Sequence, residues 1–254
     1  MDEIEIIPID IINIIIDMTN TQGKIYFMAT NKYFLSNITI ISIIIRTRIS
    51  QNIIEQYKFK HIKSLTLLNT NILDISHLNR LTYLKLHEDN VKGLSLLTNI
   101  TELQGAKYIK SNDIMTLTSL NYLDISFNTR ISNISFLTNL KSLCVSGFWS
   151  EIDQANIMPL TNLTFLDLGS NMKINNLTHL PHLKKLRSCF DNYIDISKSY
   201  KLQTLIVVHI LPEAMPCISH LTNLKKIISS EEFIFNNMEI LKMTSSTCIN
   251  TVNF

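Results

Sequence analysis

The chain has 254 residues, 46% of them hydrophobic and 17% charged. That apolar share is enough for a packed core and excludes a disordered chain. A formal net charge of +2 offers none of the basic stripe that nucleic-acid recognition uses, so no nucleic acid is expected as a partner.

From the N-terminus, Met1-Asp2-Glu3 is not the basic-then-apolar start of a secretory signal, and none is expected. Pro8 suits a helix's first turn and Asp10 its N-terminal dipole. Ile11, Ile14, Ile15 and Met18 then share one helical face. A turn over 19–23 and a second helix over 24–30 follow, then Asn31-Lys32-Tyr33-Phe34-Leu35. The apolar runs 11–16 and 38–45 are too short for the roughly 20 residues that span a bilayer, so no membrane association is expected. The start Ile7-Pro8-Ile9-Asp10-Ile11-Ile12, with Ile15 beyond and the basic-aromatic group Lys32, Tyr33 and Phe34 closing the second helix, resembles an F-box. The resemblance covers about 40 residues and places an F-box-like helical segment at 1–45, with 46–58 as connector. It implies docking onto a Skp1-like adaptor of a cullin-type ubiquitin ligase through Ile7, Pro8, Asp10, Ile11, Ile15, Tyr33 and Phe34. The family's usual leucine before the proline is Ile7 here, and its frequent Asp-Leu after the first helix is absent. The other reading of this segment is a cap over the open end of a solenoid.

From residue 59 onward one pattern recurs at a period of about 19 to 23 residues. Its core runs Ile62, Leu65, Leu67; Leu81, Leu84, Leu86; Ile100, Leu103, Gly105; Leu120, Leu123, Ile125; and Leu140, Leu143, Val145. It continues Leu163, Leu166, Leu168; Leu183, Leu186, Ser188; Leu202, Leu205, Val207; and Leu224, Ile227, Ser229. Met238, Leu241 and Met243 read as a terminal fragment. A second half recurs as Ile72, Ile75, Leu78; Val91, Leu94, Leu97; Ile131, Ile134, Leu137; and Ile174, Leu177, Leu180. Leu-x-Leu at period 2 predicts a short strand with both leucines inward, and the second half returns the chain in extended or 3-10 form. No single copy buries its apolar edge, whereas stacked copies do. Asn128 and Asn171 stand where a buried amide would close the turn, with Thr70, Asp89 or Asp191 in other copies. The pattern resembles the short leucine-rich-repeat class, in which Leu-Thr-Asn-Leu links successive turns. The expected fold is therefore α/β: a leucine-rich-repeat solenoid of about nine copies over 59–254, with a parallel short-strand sheet, an irregular or 3-10 convex side and a small helical N-terminal segment.

Residues alternating with the inward leucines line the concave sheet. The partner face predicted there comprises Tyr83, Lys85, Glu102, Tyr122, Asp124, Phe165, Asp167, Lys185 and Arg187, with Tyr83, Tyr122 and Phe165 as an aromatic stripe among charges of both signs. The alternative is that exposed strand positions tolerate any residue. Small residues at Gly105, Ser188 and Ser229 predict looser turns. Phe148 and Trp149 are expected to fill the longer copy that begins at Leu140, because tryptophan is usually largely buried.

Catalytic chemistry is not evident. Neither GxGxxG, GxxxxGK[ST] nor HExxH occurs, and 5 glycines leave little for a phosphate cradle. His179 and His182 lack a third ligand, and Cys144 with His87 would lie several repeats apart, so no metal and no nucleophile are expected. Cys144, Cys189, Cys217 and Cys248 are dispersed, so free thiols and a reducing compartment are expected, and the Asn-x-Ser/Thr triplets at Asn99 and Asn162 follow from the repeat motif. The chain is expected to be a cytoplasmic protein without cofactor that binds an unknown target protein. It would act either as the substrate-recruiting subunit of a ubiquitin ligase or as a free-standing module or decoy. The isoleucine- and asparagine-rich style resembles F-box and repeat proteins of large DNA viruses of amoebae, which would place it in host cytoplasm; the composition alone also fits an AT-rich protist.

Overall fold

The computed structural model describes residues 42–45, 48, 50–55, 57–68, 73–87, 91–190, 194–210, 220–229 and 248–251. The strands in chain order are β1 (Ser42–Ile45), β2 (Ser64–Leu68), β3 (Leu73–Asp74), β4 (Tyr83–His87), β5 (Val91–Lys92), β6 (Glu102–Gln104) and β7 (Tyr122–Asp124). They continue as β8 (Ser142–Cys144), β9 (Phe165–Gly169), β10 (Lys185–Phe190), β11 (Thr204–Ile210), β12 (Lys226–Ser229) and β13 (Cys248–Thr251). One 11-stranded sheet runs β1-β2-β4-β6-β7-β8-β9-β10-β11-β12-β13, and β3 pairs with β5 on the return side. Every neighbouring pair is parallel, as a coil with one strand per turn requires.

The register is carried by the leucines. Leu65, Leu84, Leu103, Leu123, Leu143, Leu166, Leu186, Leu205 and Ile227 stand opposite one another in unbroken succession, and all are buried. Full burial of such a side chain contributes about 1.5–3 kcal/mol, so a slip of one residue that exposed this row would forfeit many such terms. Between strands, each Leu-Thr-Asn-Leu link makes a tight turn, as from Ile100 N–H to Leu97 O at 3.0 Å and Leu140 N–H to Leu137 O at 3.0 Å. The next two N–H groups share one carbonyl of the preceding turn: Thr101 and Glu102 both donate to Thr82 O, at 2.8 and 3.1 Å. The link asparagines add a side-chain rung. Asn99, Asn139, Asn162 and Asn223 donate Nδ2–H to Asn79 O, Thr118 O, Thr138 O and Tyr200 O at 2.7–3.0 Å.

The convex side is 3-10 turns and one-turn helices, α1 (Gln51–Ile54), α2 (Ser111–Ile114) and α3 (Gln154–Ile157). Gln51 and Gln154, each first in its helix, clamp the next turn with the side-chain amide. Gln51 Nε2–H donates to Asp74 O and its Oε1 accepts Asp74 N–H, both at 2.9 Å. Gln154 does the same to Asn176, at 2.7 and 3.0 Å. Asn128 and Asn171 close their turns as the sequence predicts. Asn128 is 2% exposed; its Nδ2 donates to Ala106 O and, at 2.9 Å, to Ile109 O, while Oδ1 accepts Arg130 N–H at 2.7 Å and Ile131 N–H at 2.8 Å. Asn171 repeats this on Val145 O, Ile152 O and Lys173 N–H. Thr70, Asp89 and Asp191 lie outside the described residues.

Several expectations change. Ser42–Ile45, placed by sequence at the end of a helical segment, is instead strand β1, with Ile43 opposite Leu65 and Ile45 opposite Leu67. Its run of β-branched residues favours the extended form. The connector 46–58 holds α1, whose Ile54 is fully buried, and Phe59 just beyond it is also buried, so this stretch is the return half of an earlier turn. Gly105 is not a vacant core position. Ala106 takes the core place, fully buried, and its N–H bonds Asp124 O at 3.2 Å. Gly105 sits at φ 71°, and a Cβ there would meet Leu86 O at 1.8 Å. Ser188 likewise marks a register shift, standing opposite Gly169 and not Leu168. On the return side Leu73 is buried and aligned with Val91, and Ile72 lies outside the described residues. Beyond β12 the sheet continues in Cys248–Thr251, with Ile249 opposite Ile227, and Met238, Leu241 and Met243 lie outside the described residues. So do Ile7, Pro8, Asp10, Ile11, Ile15, Tyr33 and Phe34.

Candidate protein-binding face

Alternation along each strand turns every second residue away from the leucine core, and the uniform register turns these into rows. One row runs Ser64, Tyr83, Glu102, Tyr122, Ser142, Phe165, Lys185, Thr204, Lys226. A second includes Thr66 and Lys85 on β2 and β4, Gln104 on β6, then Asp124, Cys144, Asp167, Arg187, Ile206 and Ile228 in direct register. All nine concave residues singled out from sequence therefore lie on one face. Their stripe is not continuous, since Glu102 separates Tyr83 from Tyr122 and Ser142 separates Tyr122 from Phe165.

Contacts across the strands organise the centre of this face. Lys185 Nζ lies 5.0 Å from the Phe165 ring centroid, and Arg187 Nη1 meets Asp167 Oδ2 at 3.0 Å. Asp167 is 7% exposed and its Oδ1 also accepts Gly169 N–H at 3.0 Å. It thus positions the half-open Arg187 more than it presents a surface of its own. Tyr122 Oη and Cys144 Sγ are 3.8 Å apart. Burial, then the neighbouring thiol, raises the Tyr122 phenol above its ordinary value, and burial, then Glu102, raises Tyr83. Burial, then the Asp124 carboxylate, pushes the Cys144 thiol up to about 12. The aromatic hydroxyls and the thiol are neutral at physiological pH, and a thiol so held is a poor nucleophile. His87 is on β4 and Cys144 on β8, with β6 and β7 between, so about 14 Å of sheet separates them at the usual strand spacing. Charge along the face is ordered: acidic Glu102, Asp124 and Asp167 in the middle turns, basic Lys185, Arg187 and Lys226 beyond them.

Among the described residues, no three His, Cys, Asp or Glu side chains are grouped so as to hold a metal ion, and no helix is long and apolar enough to cross a membrane. His179 and His182 diverge: the first donates Nε2–H to Ile157 O at 3.1 Å, and the second has Nδ1 3.2 Å from Lys201 Nζ.

Phe148 and Trp149 do not fill the longer turn. They are 59% and 80% exposed, and Phe127, in the loop one turn earlier, is 67% exposed. The turn's extra residues are instead packed by Val145, Ser150, Ile152 and Ile157, all buried. The available sequence signal was two adjacent aromatics directly after a strand in a turn already complete without them.

No protein-family model matches the chain, and no curated protein sequence does. Among solved structures, an internalin (inlF) from Listeria monocytogenes aligns with TM-score 0.54 at 23% identity, over 78% of this chain and 69% of that one. Internalin C2 (inlC2) from the same species aligns with TM-score 0.52 at 25% identity, over 71% of this chain and 84% of that one. The fold is the leucine-rich-repeat solenoid. Leucine-rich-repeat proteins use such extended concave sheets as binding surfaces.

Proposed function

We propose that this solenoid is a protein-binding module whose concave face takes a folded protein partner. The observation that carries the reading is the register row in which Tyr83, Tyr122 and Phe165 stand among fixed charges, with Lys185 stacked on Phe165 and Arg187 held by Asp167. Large, rigid aromatic side chains bury area at little entropic cost, and flanking charges set orientation and encounter rate. The order of charge favours a partner surface whose basic patch meets Glu102 and Asp124 and whose acidic patch meets Lys185 and Lys226. A photo-crosslinking amino acid at Tyr122 should trap that partner, and one at the exposed convex residue Pro159 should not. Trapping from both positions alike would remove the concave face as the site.

A narrower reading, a substrate-recruiting F-box subunit of a cytoplasmic ubiquitin ligase, rests on the pattern from Ile7 to Phe34. Its test is retention of a Skp1-like adaptor by the purified chain, compared with a variant carrying Pro8→Glu and Ile11→Glu. Binding that the variant loses supports the ligase reading, and no binding by the folded wild-type chain leaves the module without it.

A further inference from the structure

A compact basic cluster lies on the rim where three successive turns enter their strands. Lys184 and Lys185 stand at the start of β10, Lys201 in the link before β11, and Lys225 and Lys226 at the start of β12; all five are exposed. The two lysine pairs are anchored alike. Lys184 and Lys185 donate their N–H groups to Thr164 O at 2.8 and 3.0 Å, and Lys225 and Lys226 donate theirs to Gln203 O at 2.9 and 3.0 Å. One strand, β11, separates the pairs, so they stand about 10 Å apart at the usual strand spacing. Lys185 and Lys226 belong to the concave row, and Lys184 and Lys225, one residue earlier, lie on the rim beside it.

Among the described residues, none of these five lysines pairs with an acid. The acids described between residues 161 and 229 are Asp167 and Asp195. Arg187 holds the first at 3.0 Å, and the second accepts Ser197 N–H at 2.9 Å on the return side; Asp191 and Glu213 lie outside the described residues. Lys201 Nζ meets His182 Nδ1 at 3.2 Å. A ring nitrogen that accepts from an ammonium is unprotonated, so that contact leaves the lysine charge uncancelled. Like charges held this close repel, and a partner that brings the opposite charge relieves them. We propose that this rim docks a short run of Asp and Glu in the protein partner, its carboxylates crossing from Lys185 and Lys226 to Lys184, Lys201 and Lys225. The proposal deepens the concave-face reading and rests on it for the partner's being a protein. Nucleic acid is the lesser fit. The positions before β4, β6, β7 and β9 hold Thr82, Thr101, Asn121 and Thr164, so the cluster stops after about 10 Å and forms no stripe along the solenoid. A flat anionic bilayer would reach the rim but not the two lysines of the concave row.

The probe is fluorescein-labelled hexaglutamate, titrated into the full chain and followed by anisotropy. Saturable binding that weakens with added salt is expected. The double variant Lys184→Glu, Lys225→Glu should weaken it by about tenfold or more. Lys63→Glu with Lys141→Glu makes the same change of net charge at the matching exposed positions before β2 and β8, and should leave binding within about twofold. Circular dichroism confirms that both variants fold. No saturable binding, an equal loss in both double variants, or tighter binding of oligothymidylate or of phosphatidylserine vesicles than of hexaglutamate would each overturn the proposal. The crosslink at Tyr122 separates the two readings. A partner trapped there without any binding of hexaglutamate overturns the rim alone, and hexaglutamate bound without a partner trapped there supports the rim and removes the concave face alone.

Discussion

Asn128 satisfies four backbone groups from one buried amide, and nothing else among the described residues occupies that place in its turn. Asn128→Ala should lower stability by about 3 kcal/mol, as buried carbonyls and N–H groups lose their partners without access to water. Urea unfolding measures this, and a loss below about 1 kcal/mol would show that the turn repairs itself. His179 carries a second consequence at this scale. With His77 and His220 it forms a series in which Nε2–H donates to the carbonyl of the preceding turn, Ile54 O, Ile157 O and Ile196 O in chain order. Because a carbonyl only accepts, Nε2 holds the proton in each. In His179 the other nitrogen, Nδ1, is buried without a partner, and burial, outweighing the bond to Ile157, holds its pKa below the ordinary value of 6.5. The unfolded chain therefore takes up a proton that the folded chain resists. Stability present at neutral pH is lost as pH falls below about 6.5. The unfolding midpoint should drop between pH 7 and pH 5, and His179→Gln, which keeps the donor and loses the titration, should flatten that drop. Asn128 was legible in the sequence because its role needs one residue type at one place. His179 was not, since its significance lies in which nitrogen is buried.

At the scale of the element, strands were legible where leucines alternate with polar residues, as in Tyr83-Leu84-Lys85-Leu86-His87. Strand β1 was not, because Ile43-Ile44-Ile45 has no alternation and a continuous apolar run suits a helix or a buried strand equally. The one-turn helices were hidden for a related reason. Ile114, Leu117 and Leu120 have the same spacing as Ile134, Leu137 and Leu140, yet only the first set begins in a helix. The difference is local: Asp113 accepts Lys110 N–H at 2.8 Å at the start of α2. Gly105 shows how an apparent defect in a repeat is a backbone requirement. Gly105→Ala would force a Cβ onto Leu86 O, so β6 must shift against β4. We expect a loss of about 2 kcal/mol or more, well beyond the change in unfolded-chain entropy, which favours alanine by less than about 1 kcal/mol. A melting temperature at or above that of the wild type would refute the strained turn.

At the scale of the whole molecule, each turn touches only its neighbours, so stability should be graded and not uniform. Amide exchange should be slowest in the middle turns, β6 to β9, and faster toward both ends of the sheet, and a flat profile would indicate all-or-none unfolding. The concave row makes a parallel prediction for binding. Lys185→Glu removes the cation over Phe165 and reverses the charge of the basic turns. It should weaken the partner trapped at Tyr122 about tenfold while leaving folding intact, as surface plasmon resonance on the identified partner would show. The face was legible as a set of positions, because period 2 and repeat length fix which residues share it. Its internal pairing was not, because Asp167 and Arg187 come from different copies and only the register brings them together.

The link asparagines carry one more consequence. Asn99, Asn139, Asn162 and Asn223 each offer a side-chain amide to the turn behind, and that turn's carbonyl waits at the same place whatever its sequence. A turn copied by a recombination error would therefore arrive with its own amide for the turn behind it and its own carbonyl for the turn ahead. Such a chain can grow or shrink by whole turns without stranding a polar group at the seam, so its length is open to selection independently of its chemistry.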